Sequence, residues 1–182
     1  MADTRVEYDN ATARCRDLYE RKLGDYGASW RIMRPKSVTD QIFIKAKRIR
    51  TLELNSGITA VGDGIEGEYV AIVNYGVIGL IQLELGVADE SDLTVEEAVA
   101  LYDKYLTATR DLMLAKNSDY GEAWRSMRIT SLTDIILTKV ERAKQIEDNR
   151  GVTAVSEGVG ANYQDMINYA VFALIKLGYG QK

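Results

Sequence analysis

The chain has 182 residues, of which 46% are hydrophobic and 27% charged, and its formal net charge is −4; this composition is typical of a soluble globular protein. The sequence pI near 5.0 and the lack of a basic stripe argue against direct nucleic-acid binding and against an anionic membrane surface. Because the chain has no histidine and a single cysteine, Cys15, nucleophile–histidine pairs, imidazole metal sites and an internal disulfide are excluded.

The sequence contains no recognisable targeting or membrane segment. Its first 30 residues lack the basic stretch and apolar run that a signal peptide requires. A transmembrane helix needs a run of about 18 consecutive apolar residues, which does not occur. We therefore expect a cytoplasmic protein that is not inserted in a membrane.

An internal repeat with an offset of 94 residues organises the chain. About 40% of the positions from Tyr8 to Gly86 carry the same residue after this offset, which indicates a duplicated structural unit. We predict an all-α fold of two tandem three-helix repeats, residues 1–90 and 91–182. The two repeats are expected to pack as one intimate pseudo-two-fold helical bundle.

The first predicted helix of each repeat covers residues 8–23 and 96–116, and Thr94 is a candidate cap for the second of them. Both helices are expected to stop at an Asp-Tyr-Gly segment, where Gly27 and Gly121 suit a left-handed C-terminal position.

The second predicted helix begins at Ser37 in the first repeat and at Ser131 in the second. Asp40 and Asp134 follow three residues later, which is a variant of the capping box. Pro35 precedes the first of these helices and is assigned to a loop.

The third predicted helix covers residues 65–85 and 159–177, and it is apolar almost all round, which is typical of a central helix. Gly76 and Gly79, matched by Ala170 and Ala173, are small residues that permit close helix approach. We infer that the two third helices pack against each other near the pseudo-two-fold axis.

Lys45 and Lys139 interrupt the apolar stripe of the second helices and are predicted to project toward the core. A buried ammonium is costly unless it meets a carboxylate or an anionic ligand. Two interpretations stay open: pairing with an internal acid such as Asp25 or Asp63, or binding of a ligand phosphate. They apply equally to the arginines one turn further along, Arg48 and Arg142.

The segment Asp-Tyr-Gly-x-x-Trp-Arg-x-Met-Arg is almost identical in the two repeats. Its tryptophans either pack under the loop or, with the tyrosines, stack on a base while the arginines hold phosphates. The candidate ligand-binding residues of this segment are Tyr26, Tyr120, Trp30, Trp124, Arg31 and Arg125.

Acidic residues before and inside the third helix are candidate ligands for Mg²⁺, which prefers oxygen donors. Positions three residues apart share a helix face, but each repeat keeps a single acid of the ExxD spacing. The candidates are Asp63, Glu66, Glu68, Glu157 and Asp165, and the alternative is that they are solvated or structural acids.

The segments KLGDYGASWR, SVTDQIFIKAKRI and NY, with their copies, resemble the nucleotide modification associated domain, first type, a helical family of phages and bacteria. The resemblance implies a role in modified-nucleotide or deoxynucleotide metabolism. Members show a pattern like ESxxDTxxDLANY, from which this chain departs at Gly67, Ala71, Gly160 and Ala161. A looser likeness is to the all-α nucleotide pyrophosphohydrolases, whose ExxE and ExxD helices bind Mg²⁺ between dimer subunits.

Two functional hypotheses follow. The first is a protein that binds a nucleotide or another phosphorylated ligand, with Mg²⁺-dependent phosphohydrolysis as its catalytic form. The second is a non-catalytic structural or interaction module with degenerate acidic sites. Neither hypothesis fixes the oligomeric state.

Overall fold

The structure is a computed structural model that describes residues 3–57 and 64–181. Within these residues it contains six α-helices, two short 3₁₀ turns and no β-strand, which confirms the all-α prediction. The helices are α1 (Thr4–Tyr26), α2 (Pro35–Leu54), α3 (Ile65–Leu85), α4 (Val95–Tyr120), α5 (Ile129–Asp148) and α6 (Val159–Lys176). The 3₁₀ turns are Ser29–Ile32 and Ala123–Ser126.

The starts of the helices confirm one predicted cap. Thr94 accepts a hydrogen bond from the backbone of Glu97, whose side chain accepts one from the backbone of Thr94, so α4 begins with a complete capping box.

The capping boxes predicted at Ser37 and Ser131 are wrong. Helix α2 begins two residues before Ser37, and Pro35, which was assigned to a loop, is its first residue. Proline suits this position because its fixed φ is already helical and the first helical N–H needs no intrahelical partner. Ser131 likewise lies inside the first turn of α5, which begins at Ile129 without a side-chain cap from the described residues.

The ends of α1 and α4 lie further along the chain than predicted, so that Asp-Tyr belongs to the last helical turn and only the glycine leaves it. Gly121 adopts the left-handed conformation with φ 59° and ψ 34°. Gly27 has a positive φ of 68° but an extended ψ, so the predicted left-handed cap holds fully in the second repeat alone.

The two third helices, α3 and α6, form the centre of the molecule and pack against each other. A Cβ atom added to Gly76 would lie 2.5 Å from the side chain of Ile167, and one added to Gly79 would lie 2.7 Å from the ring of Tyr163. The glycines therefore permit the close approach that the sequence predicts. Helices α2 and α5 pack against their own third helix and against each other.

Two buried hydrogen bonds that cross between the repeats are related by the 94-residue offset. Tyr8 donates to Asn168 Oδ1 at 2.8 Å, and Tyr102 donates to Asn74 Oδ1 at 2.7 Å. Each asparagine also donates from Nδ2 to a carbonyl of its own repeat's first helix, at 3.1 Å and 3.2 Å. The asparagine of the repeated Asn-Tyr pair thus joins three helices.

A second pair of crossing contacts lies between α2, α5 and the third helices. The hydroxyls of Thr39 and Tyr163 are 2.7 Å apart, and Thr39 donates to Glu147 at 2.5 Å. The offset copy joins Tyr69, Thr133 and Glu53, with both contacts at 2.6 Å. Burial raises the pKa of both glutamates above the ordinary value, since desolvation disfavours the charged form.

Among the described helices, α3 is the one that is long and apolar enough to cross a membrane. However, 67% of its most apolar window is buried inside the structure, as in the core helix of a soluble protein. Its apolar surface is covered mainly by α2 and α6.

Candidate functional site

Each repeat contains a cleft between the C-terminal half of its first helix, the 3₁₀ turn and the third helix. The cleft of the first repeat, here cleft 1, has a volume of about 470 Å³. The equivalent of the second repeat, cleft 2, has about 230 Å³. Most lining positions of the two clefts correspond under the 94-residue offset, so the same site is present twice. Cleft 1 is lined by Lys22, Tyr26, Trp30, Lys45, Ala71 and Tyr75 among others, and cleft 2 by Lys116, Tyr120, Trp124, Asp165 and Tyr169 among others.

The tryptophans form the floor of the clefts and are mostly buried. Trp124 stacks on Phe172 with ring centroids 4.3 Å apart, while Trp30 lies against Tyr19 at 6.3 Å. The tyrosines at the rim are different, because Tyr26 is 56% exposed and Tyr120 is 73% exposed. A ligand ring can therefore reach the tyrosines, whereas the indoles mainly hold the 3₁₀ turns against the core.

In cleft 2 the carboxylate of Asp165 joins two lysines. Lys116 Nζ lies 2.9 Å from Oδ1 and Lys139 Nζ lies 2.8 Å from Oδ2, while Asp165 is only 9% exposed. Burial opposes protonation of Lys116, but the hydrogen bond and the charge of Asp165 outweigh it and raise the pKa of this lysine. Lys139 thus meets an internal acid, as one interpretation of the sequence had it, and the acid is Asp165.

Cleft 1 has a different charge arrangement because Ala71 stands where cleft 2 has Asp165. Glu68, one helical turn earlier on α3, contacts Lys45 at 3.6 Å and Arg48 at 2.6 Å. Among the described residues, the acid that pairs with Lys45 is Glu68 and not Asp25. Lys22 makes no ion pair with any residue that the structure describes. Cleft 1 therefore presents an ammonium group that no described carboxylate neutralises.

The arginines that recur in the two 3₁₀ turns, Arg31 and Arg125, do not line the clefts. Arg31 is 3% exposed, and its guanidinium donates to Asp92 Oδ1 at 2.7 Å, to the carbonyl of Gly86 at 2.7 Å and to Gln82. It thus fixes the connector between the repeats. The equivalent Arg125 pairs with Glu7 at 2.5 Å and Glu122 at 2.9 Å.

The metal candidates do not gather into one cluster in the described part of the chain. Asp63 lies outside the described residues, and in the remainder no group of three or more Asp, Glu or Cys residues could hold a metal ion. Glu68 and Asp165 are engaged by lysines. Glu66 lies in the first turn of α3. A magnesium site therefore stays a prediction.

A third, more open groove lies between α5 and the segment 149–157, with a volume of about 1100 Å³. It contains Arg142 and Glu157 together with Lys139, which also contacts Asp165 of cleft 2. The equivalent region of the first repeat includes residues outside the described part. Arg142 and Glu157 therefore line this groove and are not among the lining residues of cleft 2.

The sequence analysis missed Lys22 and Tyr75 as lining residues of the site. A signal was available, because Lys22 recurs as Lys116 and lies four residues before Tyr26 on the first helix, so that both side chains share one face. Tyr75 recurs as Tyr169, beside the asparagine of the Asn-Tyr pair.

Comparison with known proteins gives one match. The family model described as nucleotide modification associated domain 1 matches twice, at residues 22–83 and 116–177. Each match begins at the cleft lysine of its repeat and stops within two residues of the end of the third helix. No curated protein and no solved structure matches the chain.

Proposed function

Because the chain belongs to the nucleotide modification associated domain 1 family, we propose that it binds a nucleotide, or a closely related phosphorylated ligand, in cleft 1. The observation that carries this proposal is the combination of an exposed ring, Tyr26, with a lysine on the same helix face, Lys22, that no described acid neutralises. A base can stack on the ring while the ammonium binds a phosphate.

The dimensions of cleft 1 agree with this ligand class. Small-molecule sites in proteins have volumes of roughly 300–1,000 Å³ and are mostly apolar with a few polar groups. Cleft 1, at about 470 Å³, lies within that range. Its apolar lining comes from Leu18, Trp30 and Ile78, and its cations are the two lysines.

Mg²⁺-dependent phosphohydrolysis is the catalytic form of this proposal. Such a reaction needs carboxylates that hold the metal against the phosphate. Glu66 precedes Gly67, a lining residue of cleft 1, and is a described acid available for that task. Glu68 would first have to leave its ion pairs with Lys45 and Arg48. The non-catalytic alternative draws its support from cleft 2, where Asp165 and two lysines form a purely internal contact. We place the protein in the cytoplasm.

Binding is tested by isothermal titration of the full chain with nucleoside mono-, di- and triphosphates, with and without Mg²⁺. We expect Lys22→Ala and Tyr26→Ala each to weaken binding about tenfold or more, because a charge-assisted bond or a stacked ring is lost. Lys47→Ala, an exposed lysine on α2, and Tyr120→Ala, in cleft 2, are the matched controls.

The proposal is wrong if no nucleotide binds under either condition, or if Lys22→Ala and Lys47→Ala bind equally well. Release of phosphate or pyrophosphate that is lost in Glu66→Gln would support the catalytic form. Binding without any such release would support a non-catalytic role.

A further inference from the structure

The two clefts differ at one position in a way that indicates where the anionic group of the ligand binds. Position 71 of cleft 1 is alanine, and the same position of cleft 2 is Asp165. We infer that the carboxylate of Asp165 is an internal substitute for that anionic group. The anion subsite of cleft 1 then lies beside Ala71, between Lys22 and Lys45, and cleft 2 is a second copy of the subsite that the chain fills itself.

The geometry of Asp165 is that of a bound oxyanion. Its two oxygens are shared between two lysines, with Lys116 on Oδ1 at 2.9 Å and Lys139 on Oδ2 at 2.8 Å. A phosphate monoester also presents two charged oxygens on one centre, so it can make the same two charge-assisted contacts. The ligand class that follows is a compound with a single phosphate monoester, attached to a ring that reaches Tyr26.

The two cationic positions of the subsite recur in both repeats. Lys22 and Lys45 are the offset equivalents of Lys116 and Lys139, and both line cleft 1. Ala71 itself is half-buried in the lining of the cleft. The small methyl group leaves the volume of the missing carboxylate open, and cleft 1 is about 470 Å³ against about 230 Å³ for cleft 2.

Glu68 does not replace Asp165 in cleft 1. It corresponds to Asn162 rather than to Asp165, and it does not line cleft 1. It contacts Lys45 at 3.6 Å, and Lys22 has no ion-pair contact with it or with other described acids. Glu68 thus partly neutralises Lys45, whereas Lys22 has no described acid as a partner, and a bound anion would supply that partner.

The inference rests on the proposed function only for the ring of the ligand; the anion subsite is tested by itself. Two reciprocal substitutions, Ala71→Asp and Asp165→Ala, are made in the full chain. Binding of inorganic phosphate and of a nucleoside 5′-monophosphate is measured by isothermal titration. We expect one site per chain in the wild type, two in Asp165→Ala, and at least about tenfold weaker binding in Ala71→Asp, because its carboxylate occupies the subsite.

Acetate titration distinguishes a general oxyanion site from one that prefers phosphate. Asp165→Asn is the matched control, because it keeps the shape of the side chain and removes its charge. Asp165→Asn should bind phosphate more weakly than Asp165→Ala does, because the amide still fills the subsite.

Circular dichroism and thermal melting confirm that each variant folds. If Asp165→Ala does not fold, Ala71→Asp still decides the question, because the new carboxylate lies in an open cleft and should weaken phosphate binding at least about tenfold in a folded variant.

The outcomes separate this inference from the proposed function. If the wild type binds no nucleotide but Asp165→Ala gains a phosphate site, the proposed function fails and the inference stands. If the wild type binds a nucleoside monophosphate and Ala71→Asp binds it equally well, the proposed function stands and the inference is overturned. A folded Asp165→Ala variant with no additional phosphate site also overturns it.

Discussion

Removal of the Tyr102 hydroxyl should destabilise the contact between the two repeats. Tyr102 is fully buried, and its hydroxyl donates to Asn74 Oδ1 at 2.7 Å. Burial, the largest cause, raises the pKa of this tyrosine far above its ordinary value, so the hydroxyl is protonated and donates at neutral pH. Tyr102→Phe therefore leaves the ring in place and removes one buried donor.

The expected cost is about 1–3 kcal/mol in the free energy of unfolding, because the buried amide oxygen loses its partner while Asn74 stays fixed through Nδ2 to the carbonyl of Cys15. For a chain of this length that is a fall in melting temperature of roughly 2–4 °C per kcal/mol. Tyr8→Phe breaks the offset copy of the bond, to Asn168 at 2.8 Å, and should cost a similar amount.

Urea unfolding followed by circular dichroism measures these costs. Tyr105→Phe is the control, because its hydroxyl bonds to the exposed Glu84, where water can replace it. If Tyr102→Phe lowers the free energy of unfolding no more than Tyr105→Phe, the buried bond does not stabilise the interface as argued.

Two further predictions concern pH and the halves of the chain. Burial raises the pKa of Glu53 and Glu147 above the ordinary value of about 4.5. Their contribution to the free energy of unfolding is therefore fully present below pH 4.5 and is lost as the pH rises through the folded-state pKa. The double variant Glu53→Gln/Glu147→Gln should therefore be more stable than the wild type at pH 7. If the free energy of unfolding, measured with urea, depends on pH with the same slope in both proteins, the prediction is wrong. Residues 1–90 and 91–182 expressed separately should each lack cooperative unfolding and regain it when mixed, because α3 and α6 bury one shared face; cooperative monomeric halves would refute it.

The central helices were predictable from the sequence because their signals are local. The apolar run of α3 and its bounds at Ile65 and Leu85 agree with the prediction, and the small residues Gly76 and Gly79 lie in the contact with α6. The start of α2 was not predicted correctly, because Pro35 at the first helical position outweighs the serine–aspartate spacing that follows it.

The partner of each inward lysine could not be read from the sequence for a different reason. Lys139 meets an acid on another helix, Asp165, and Lys45 meets Glu68, which occupies a different position of the repeat. A comparison of the repeats shows the two acids only as unmatched residues. Their common role appears once the packing of the second helix on the third brings each acid beside its lysine.

The interface and the clefts differ in how far the effect of one substitution reaches. A bond that crosses the pseudo-two-fold axis takes one member from each repeat, as in Arg16 with Asp103 and Arg110 with Asp9. Loss of one residue therefore leaves its partner in the other repeat without that bond. Each cleft is built from a single repeat, so its carboxylate can change in one copy without cost to the other. These arginine–aspartate pairs are present in both copies, whereas position 71 is alanine and its equivalent is Asp165.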